Sequence, residues 1–216
     1  MERTGYIVLF TLAMTVLVAL VLSFLFYGTK DQVAINEDVF NKRAVLSAIN
    51  DQLETKVDDL GDEEVLGIFN QRIEQVVLDM DGAVVDGIKA EKVDMAKEKK
   101  KPEADRQLPL YVYNGDGGKK FFIMSVRGNG LWDEIWGNIA LEDDLTTVVG
   151  ASFDHKGETP GLGAEIKDNP AFSRQFKGTK IFDTAGNYTS VTVRKGGAKD
   201  KTHEVDGISG LSLIHI

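Results

Sequence analysis

Hydrophobic and polar positions change rhythm three times along this chain. From Tyr6 to Tyr27 no charged residue occurs, and this run of 22 residues at about 1.5 Å rise covers roughly 33 Å, enough to cross a hydrocarbon core. Tyr6, Phe24, Phe26 and Tyr27 stand near its ends, where aromatic rings favour the membrane interface. The run is too long for the apolar part of a secretory signal peptide, and no A-x-A site follows it. It therefore predicts an uncleaved transmembrane anchor over 1–28. Its orientation is left open by charge, with Arg3 and the terminal amine on one side and Lys30, Lys42 and Arg43 on the other.

The rhythm then becomes helical. Asn36-Glu37-Asp38 offers a helix start, and Val39, Ala44, Val45, Leu46, Ile49 and Leu53 recur at the spacing of one helix face. After Gly61, Asp62 is placed to cap a second helix in which Val65, Leu66, Phe69, Ile73 and Val76 face one way. Val77 to Val85 reads as a hairpin around Asp81-Gly82. The stretch from Ala90 to Lys101 is charged, weakly apolar and ended by Pro102, which predicts a solvated helix or loose linker. Together 29–105 form a helical lead-in with a hairpin and a charged linker.

From Leu108 onward the pattern alternates. Strands are predicted at 108–113, 119–126, 135–141, 146–153, 179–183 and 190–194. Short helices are predicted at 160–167, with Pro160 in the first turn, and from Asn169-Pro170 through Phe176. No period of 20 to 50 residues repeats, which excludes a solenoid. The order of helices, hairpin, strands, short helices and strands gives an α+β fold with a mostly antiparallel sheet, its domain spanning 106–212.

Composition narrows the chemistry. The 216 residues carry a net charge of -9, which argues against nucleic acid as a partner because phosphate binding needs clustered Lys and Arg. Cysteine is absent, so disulfides, thiolate metal sites and thiol nucleophiles are excluded. His155, His203 and His215 are scattered without the spacing of a zinc helix, and no metal site is expected. Nor does any Ser-His-Asp order, carboxylate pair or P-loop emerge, so no catalytic residue is assigned.

Glycine-rich stretches remain. Glu158-Thr159-Pro160-Gly161-Leu162-Gly163 forms a tight loop leading into a helix, where freed backbone N–H groups suit an electron-rich ligand edge and Leu162 can cover an aromatic face. Gly128, Gly130, Leu131 and Trp132 form another turn, with Trp132 either packing or offering a ligand shelf. Lys195-Gly196-Gly197 follows the last clear strand. Near the C-terminus, Asp206-Gly207-Ile208-Ser209-Gly210-Leu211-Ser212 sets two glycines among hydroxyl residues, a turn in which an exposed hydroxyl can be modified.

Four stretches, Arg127–Trp132 (R-G-N-G-L-W), Glu158–Gly163 (E-T-P-G-L-G), Lys195–Ala198 (K-G-G-A) and Val205–Gly210 (V-D-G-I-S-G), occur in this order behind a single N-terminal anchor. In this the chain resembles the C subunits of the sodium-translocating NADH–quinone reductases, with the G subunit of the Rnf electron-transport complex as near relative. The resemblance implies an FMN-binding domain anchored in the bacterial inner membrane and facing the periplasm. It also implies FMN joined through its phosphate to a threonine in an S-G-A-T sequence by a separate flavin transferase. Partners implied are the other subunits of the membrane complex, that transferase and membrane lipid. On this reading Ser212 stands at the ester position, beside Ser209 and Gly210. Thr159, Leu162 and Gly163 line the ring, Glu158 and Trp132 are further cofactor-binding residues, and Lys195 sits near its phosphate or pyrimidine edge.

The chain departs from that pattern at its end. Where the family has S-G-A-T, residues 209–212 read Ser-Gly-Leu-Ser, and Leu-Ser-Leu-Ile-His-Ile follows Gly210. We expect 211–216 to be a non-native tail that hinders flavinylation of this chain. The competing function is a non-redox, single-pass periplasmic interaction protein in which the glycine stretches are ordinary turns.

Overall fold

A computed structural model describes residues 2–130 and 133–208, in two compact units, 1–41 and 42–216. Helix α1 runs from Glu2 to Ser47 and is long and apolar enough to cross a membrane. Along this helix the hydroxyls of Thr11, Thr15 and Thr29 donate to carbonyls four residues earlier at 2.7–2.9 Å, so these polar groups are satisfied inside the helix. The helix start expected at Asn36 does not occur. Asn36 Oδ1 instead accepts from Gln32 Nε2 one turn earlier, and no glycine or proline interrupts the ladder there.

In the second unit α1 ends at Ser47, short of the expected Leu53. Arg43 gathers the chain beyond it, donating to the carbonyls of Val57 and Leu60 and pairing with Asp62 at 2.9 Å. Helix α2 (Asp62–Arg72) starts with Gly61, not Asp62, at its cap, and Glu64 accepts the Gly61 N–H at 2.7 Å. Ile73 and Val76, expected on this helix, instead begin strand β1 (Ile73–Leu78). Their β-branched side chains suit the pleat better than a helix surface.

The Asp-Gly turn appears as expected, with Gly82 at φ +80°, but its hairpin closes through a single bridge, Leu78 to Val84. The stretch 90–101 is solvated along much of its length. Lys92, Asp94, Lys97 and 99–101 are exposed, but the segment is anchored at two points, because Ala90 and Glu98 are buried. Short helix α3 (Met95–Glu98) is capped by Asp94, and Glu98 accepts the Gln107 N–H at 3.0 Å while pairing with Lys101.

Strands β2 (Leu108–Asn114), β3 (Lys120–Asn129), β4 (Glu134–Leu141) and β5 (Val148–His155) continue from β1 as an antiparallel meander in chain order. The α+β, mostly antiparallel expectation holds. Alternation gives the sheet two different faces. On one, Ile135, Ile139, Leu141, Ala151 and Phe153 join Ile166, Phe172, Phe176, Val191, Val193 and Val205 in a single core cluster. The rings of Phe153, Phe172 and Phe176 lie 5.0–5.7 Å apart. A register shift between Ala140 and Leu141 lets Val148 turn to the same face.

The other face carries a polar row. Ser125 Oγ donates to Asn138 Oδ1 at 2.9 Å, Asn138 Nδ2 approaches Ser152 Oγ at 3.5 Å, and Ser152 Oγ donates to the Ala44 carbonyl at 2.8 Å. One pairing step away, Gly150 lies so close to the Ala48 carbonyl that a Cβ would overlap it. The last turns of α1 are thus seated on β5 by one hydrogen bond and one missing side chain.

Helices α4 (Glu165–Asp168) and α5 (Pro170–Arg174) follow, α5 capped by Asn169 as expected. The helix expected from Pro160 begins only at Glu165. The strand expected at 179–183 is reduced to isolated bridges at Lys180 and Phe182, because Asp183 closes a tight turn on Ala185 and Asn187. Strand β6 (Thr192–Arg194) pairs in parallel with β7 (Glu204–Asp206), a strand the hydrophobic pattern did not predict.

Gly150→Ala is expected to destabilise the protein by about 1–3 kcal/mol through overpacking against the Ala48 carbonyl. Chemical denaturation checks it, and an unchanged midpoint would show that α1 does not sit on β5 in this way.

Candidate functional site

The first pair of glycine stretches meets at a buried carboxylate. At the β3–β4 hairpin Arg127 pairs with Glu134 at 2.5 Å and lies over the Trp136 ring at 5.1 Å. That pairing holds the Glu134 carboxyl below its usual range. The Gly130 N–H donates to the Asp133 carbonyl at 2.7 Å, turning the chain back into β4. Glu158, only 5% exposed, places one carboxylate oxygen against Gly130 and the other against Gly163. A Cβ at either glycine would overlap an oxygen. Glu158 thus faces inward and fixes the two loops against each other.

The loop beyond it is a tight turn. Thr159 O accepts the N–H groups of Leu162 and Ala164, both at 3.1 Å, and Gly161 has φ +74° after Pro160. Proline followed by a left-handed glycine is the sequence a type II turn requires. Buried Ala164 and Ile166 anchor the turn, which leaves Thr159 exposed and Leu162 45% exposed.

The second pair is built on β6 and β7. From its strand β7 extends two carboxylates into the loop that joins the two strands. Glu204 accepts from Arg194 Nε at 2.7 Å, Lys199 N at 2.8 Å and Asp200 N at 3.2 Å. Asp206 Oδ1 accepts the Ala198 N–H at 2.7 Å. The chain from Lys195 to Asp200 is therefore wrapped around β7, with Gly196 and Gly197 at φ +89° and +102° making the bend. Gly207 donates its N–H to the Arg194 carbonyl at 2.8 Å, and a Cβ on Gly207 would stand 2.9 Å from the same oxygen. On the far side of β7, the Asp206 N–H donates to Gln175 Oε1 at 2.8 Å. With three N–H or guanidinium donors on one carboxylate, Glu204 has its pKa lowered to about 2.

Of the residues singled out in sequence, Glu158, Thr159, Leu162 and Gly163 share one loop, and exposed Lys195 lies at the end of β6 beside Gly207. Trp132, Ser209, Gly210 and Ser212 lie outside the described residues. The two pairs of loops meet through the core. Ile135, Ile166, Val193 and Val205 belong to one cluster, and Ile208 packs on it. Sequence reasoning passed over Glu204 and Gln175 and gave Asp206 no role of its own. Two acidic residues flanking a lone valine at 204–206 were the available signal.

Comparison with known proteins fits this arrangement. The FMN-binding domain family matches residues 130–211, which contain the second pair of loops and the first pair from Gly130 on. The C subunit of the Na(+)-translocating NADH-quinone reductase of Neisseria meningitidis is 39% identical over 122 residues, covering 52% of this chain and 46% of that protein. Its counterpart in Vibrio vulnificus is 42% identical over 111 residues, covering 51% and 42%. This chain thus matches less than half the length of these relatives. The solved structure of the C subunit from Parabacteroides distasonis is 37% identical, superimposes with a TM-score of 0.72 and covers 84% of each chain. The chain belongs to this C-subunit family, NqrC. The NqrC of Shewanella oneidensis, 26% identical with a TM-score of 0.67, shares the architecture. In this member of the NqrC family, the matched domain begins at Gly130, one of the two glycines that receive the Glu158 carboxylate.

The Glu204 carboxylate should act as an acid latch. Its folded pKa lies near 2 against an ordinary value of 4.5, so its contribution is present above pH 4.5 and is lost as the pH falls from there through 2. Amide exchange at Lys199 and Asp200 should rise over that window, and Glu204→Gln should remove the dependence. Equal acid sensitivity in the variant would refute the latch.

Proposed function

We propose that this chain is a membrane-anchored flavoprotein subunit that relays electrons through covalently held FMN within a sodium-pumping NADH–quinone oxidoreductase. The observation that carries the reading is the setting of β7. It brings Asp206 and Gly207 beside the Lys195–Ala198 loop, within a stretch that matches an FMN-binding domain, and residues 209–212, where the family has its modified hydroxyl, follow directly in sequence.

The residues present fit such a group. Gly196, Gly197 and Gly207 keep side chains away from the place where β7 runs out, and Lys195 stands exposed there to offset a phosphate or an electron-rich ring edge. Exposed Leu162 on its proline–glycine turn offers apolar cover for a ring face, with Thr159 as a polar neighbour, while buried Gly163 lets the turn close over Glu158. Glu158 keeps that turn in place from behind, and Trp132, Ser209 and Gly210 would complete the surroundings. Ser212 supplies the hydroxyl for the phosphoester. FMN, when bound, supplies one-electron chemistry, and the protein supplies position and electrostatics.

The partners in this reading are the other subunits of the reductase, a flavin transferase for maturation, and membrane lipid around α1. The unit after Tyr27 lies on the periplasmic side of the bacterial inner membrane. An ester to the phosphate retains FMN there, where a free cofactor would diffuse away.

Leu211 puts a branched side chain beside the acceptor hydroxyl, and the reading predicts little flavin on the chain as it stands. Co-expressed with the transferase, a chain with alanine at 211, threonine at 212 and a native-like continuation should gain the mass of one FMN less one water by intact mass spectrometry. Absence of that mass in the altered chain would overturn the flavoprotein reading, and a non-redox interaction protein would then stand. For the topology, alkaline phosphatase fused after residue 105 should be active; an inactive fusion beside an active cytoplasmic reporter would place the domain inside the cell.

A further inference from the structure

Half-buried His155 ends β5 on the same sheet face as Phe153, two residues earlier and part of the apolar core. There its ring ties the following loop back to the strand, because the Glu158 N–H donates to His155 Nδ1 at 3.2 Å. A ring nitrogen that accepts a hydrogen bond carries no proton, so this imidazole is neutral, with its one proton on Nε2. The group held by the bond is the backbone of the residue whose carboxylate, 5% exposed, lies against Gly130 and Gly163. The residues that follow form the Thr159–Ala164 turn, which presents Leu162.

A proton on Nδ1 turns this acceptor into a donor and sets it against the Glu158 N–H. The charged groups on the neighbouring elements have other engagements. On β5 itself, Asp154 accepts the His155 N–H at 2.8 Å and pairs with Lys167 of α4, while Lys156 pairs with Asp133 of the β3–β4 hairpin. On β4, Glu134 pairs with Arg127 of β3. The Glu158 carboxylate is directed at the two glycines, and half-buried Glu165 belongs to the first turn of α4.

We propose that His155 is a pH-sensitive switch for the Glu158–Ala164 turn: the neutral ring holds the turn to β5, and the protonated ring releases it. Histidine is the side chain whose ordinary charge change falls within about pH 5 to 8. Only the neutral ring makes the bond, so its contribution is present at the higher pH and is lost as the pH falls and the ring takes up a proton. The surface around Leu162 is thereby ordered near neutral pH and loosened in acid. The switch acts on the turn whether or not a flavin lies against Leu162.

The test uses the full chain as it stands, in detergent micelles. Amide exchange is expressed as protection relative to an unstructured peptide at the same pH, and the state of the ring is read from its nitrogen chemical shifts. Between about pH 7.5 and about pH 5.5, His155 should pass from its Nε2–H form to the imidazolium, and protection of the Glu158 amide should fall about tenfold, the size expected for one lost hydrogen bond. The Leu162 and Ala164 amides should lose protection with it, while Ile139 and Ala140 in β4 keep theirs. His155→Asn sets an oxygen that does not titrate close to the Nδ1 position and should keep the Glu158 amide protected to within about twofold at both pH values. His155→Leu removes the acceptor and should show the low protection at both. A ring that stays neutral at the lower pH, or a neutral ring with its proton on Nδ1, overturns the proposal. So does a Glu158 amide equally protected beside the neutral and the protonated ring, or a His155→Leu variant as protected as the parent. A His155→Asn variant that loosens in acid as the parent does, or a loss of protection that reaches β4, overturns it as well.

Discussion

Strands β4 and β5 are covered on both faces by layers of opposite character, and the rest of the second unit depends on that constraint. One face is closed by the phenyl rings of Phe153, Phe172 and Phe176, a dry contact that is non-directional and tolerant in register. The other is closed by the Ser125–Asn138–Ser152 row ending on the Ala44 carbonyl, a directional contact that tolerates little. The polar row sets where the last turns of α1, from Lys42 on, sit along β5, whereas the rings hold α4, α5 and β6 with β7 to the opposite side. Both pairs of glycine-rich loops emerge from strands anchored in the apolar layer, so their mutual placement is inherited from it.

The loops then use carboxylates in place of hydrophobic burial. Glu158, Glu204 and Asp206 each collect backbone or close-packed contacts from a loop that has almost no apolar side chains of its own. This suits a surface that must stay open. A loop fixed from within by charge-assisted contacts keeps its outer face available, as exposed Lys195 and Leu162 show.

Much of the fold was legible because its signals are local. An apolar run without charge gives α1, and alternation gives β2 through β5. Proline after asparagine gives the cap of α5. Misreadings occurred where two local rules compete. Ile73 and Val76 continue the helical spacing of α2, yet β-branching and pairing with Tyr113 and Leu110 win. In 90–101 the two anchor points, Ala90 and Glu98, were not legible, since one buried alanine and one buried glutamate carry no visible period. Strand β7 has a single inward residue, Val205, and no three-residue alternation can be told from a turn. Of the site, the glycines and Lys195 were legible as motifs. The inward aim of Glu158 and the reach of Gln175 to β7 were not, because each depends on contacts between segments distant in sequence.

The wedge of Glu158 between Gly130 and Gly163 also binds three positions into one evolutionary unit. A side chain at either glycine collides with the carboxylate, whereas shortening residue 158 empties that space at Gly163 and leaves the Asp133 carbonyl 2.8 Å from a Cβ at Gly130. Substitutions at positions that share one space are not additive, so the cost of a methyl group at residue 163 depends on what stands at residue 158. Drift at the loops is thereby constrained in order: the carboxylate must go before Gly163 can, while Gly130 stays held by the Asp133 carbonyl as well.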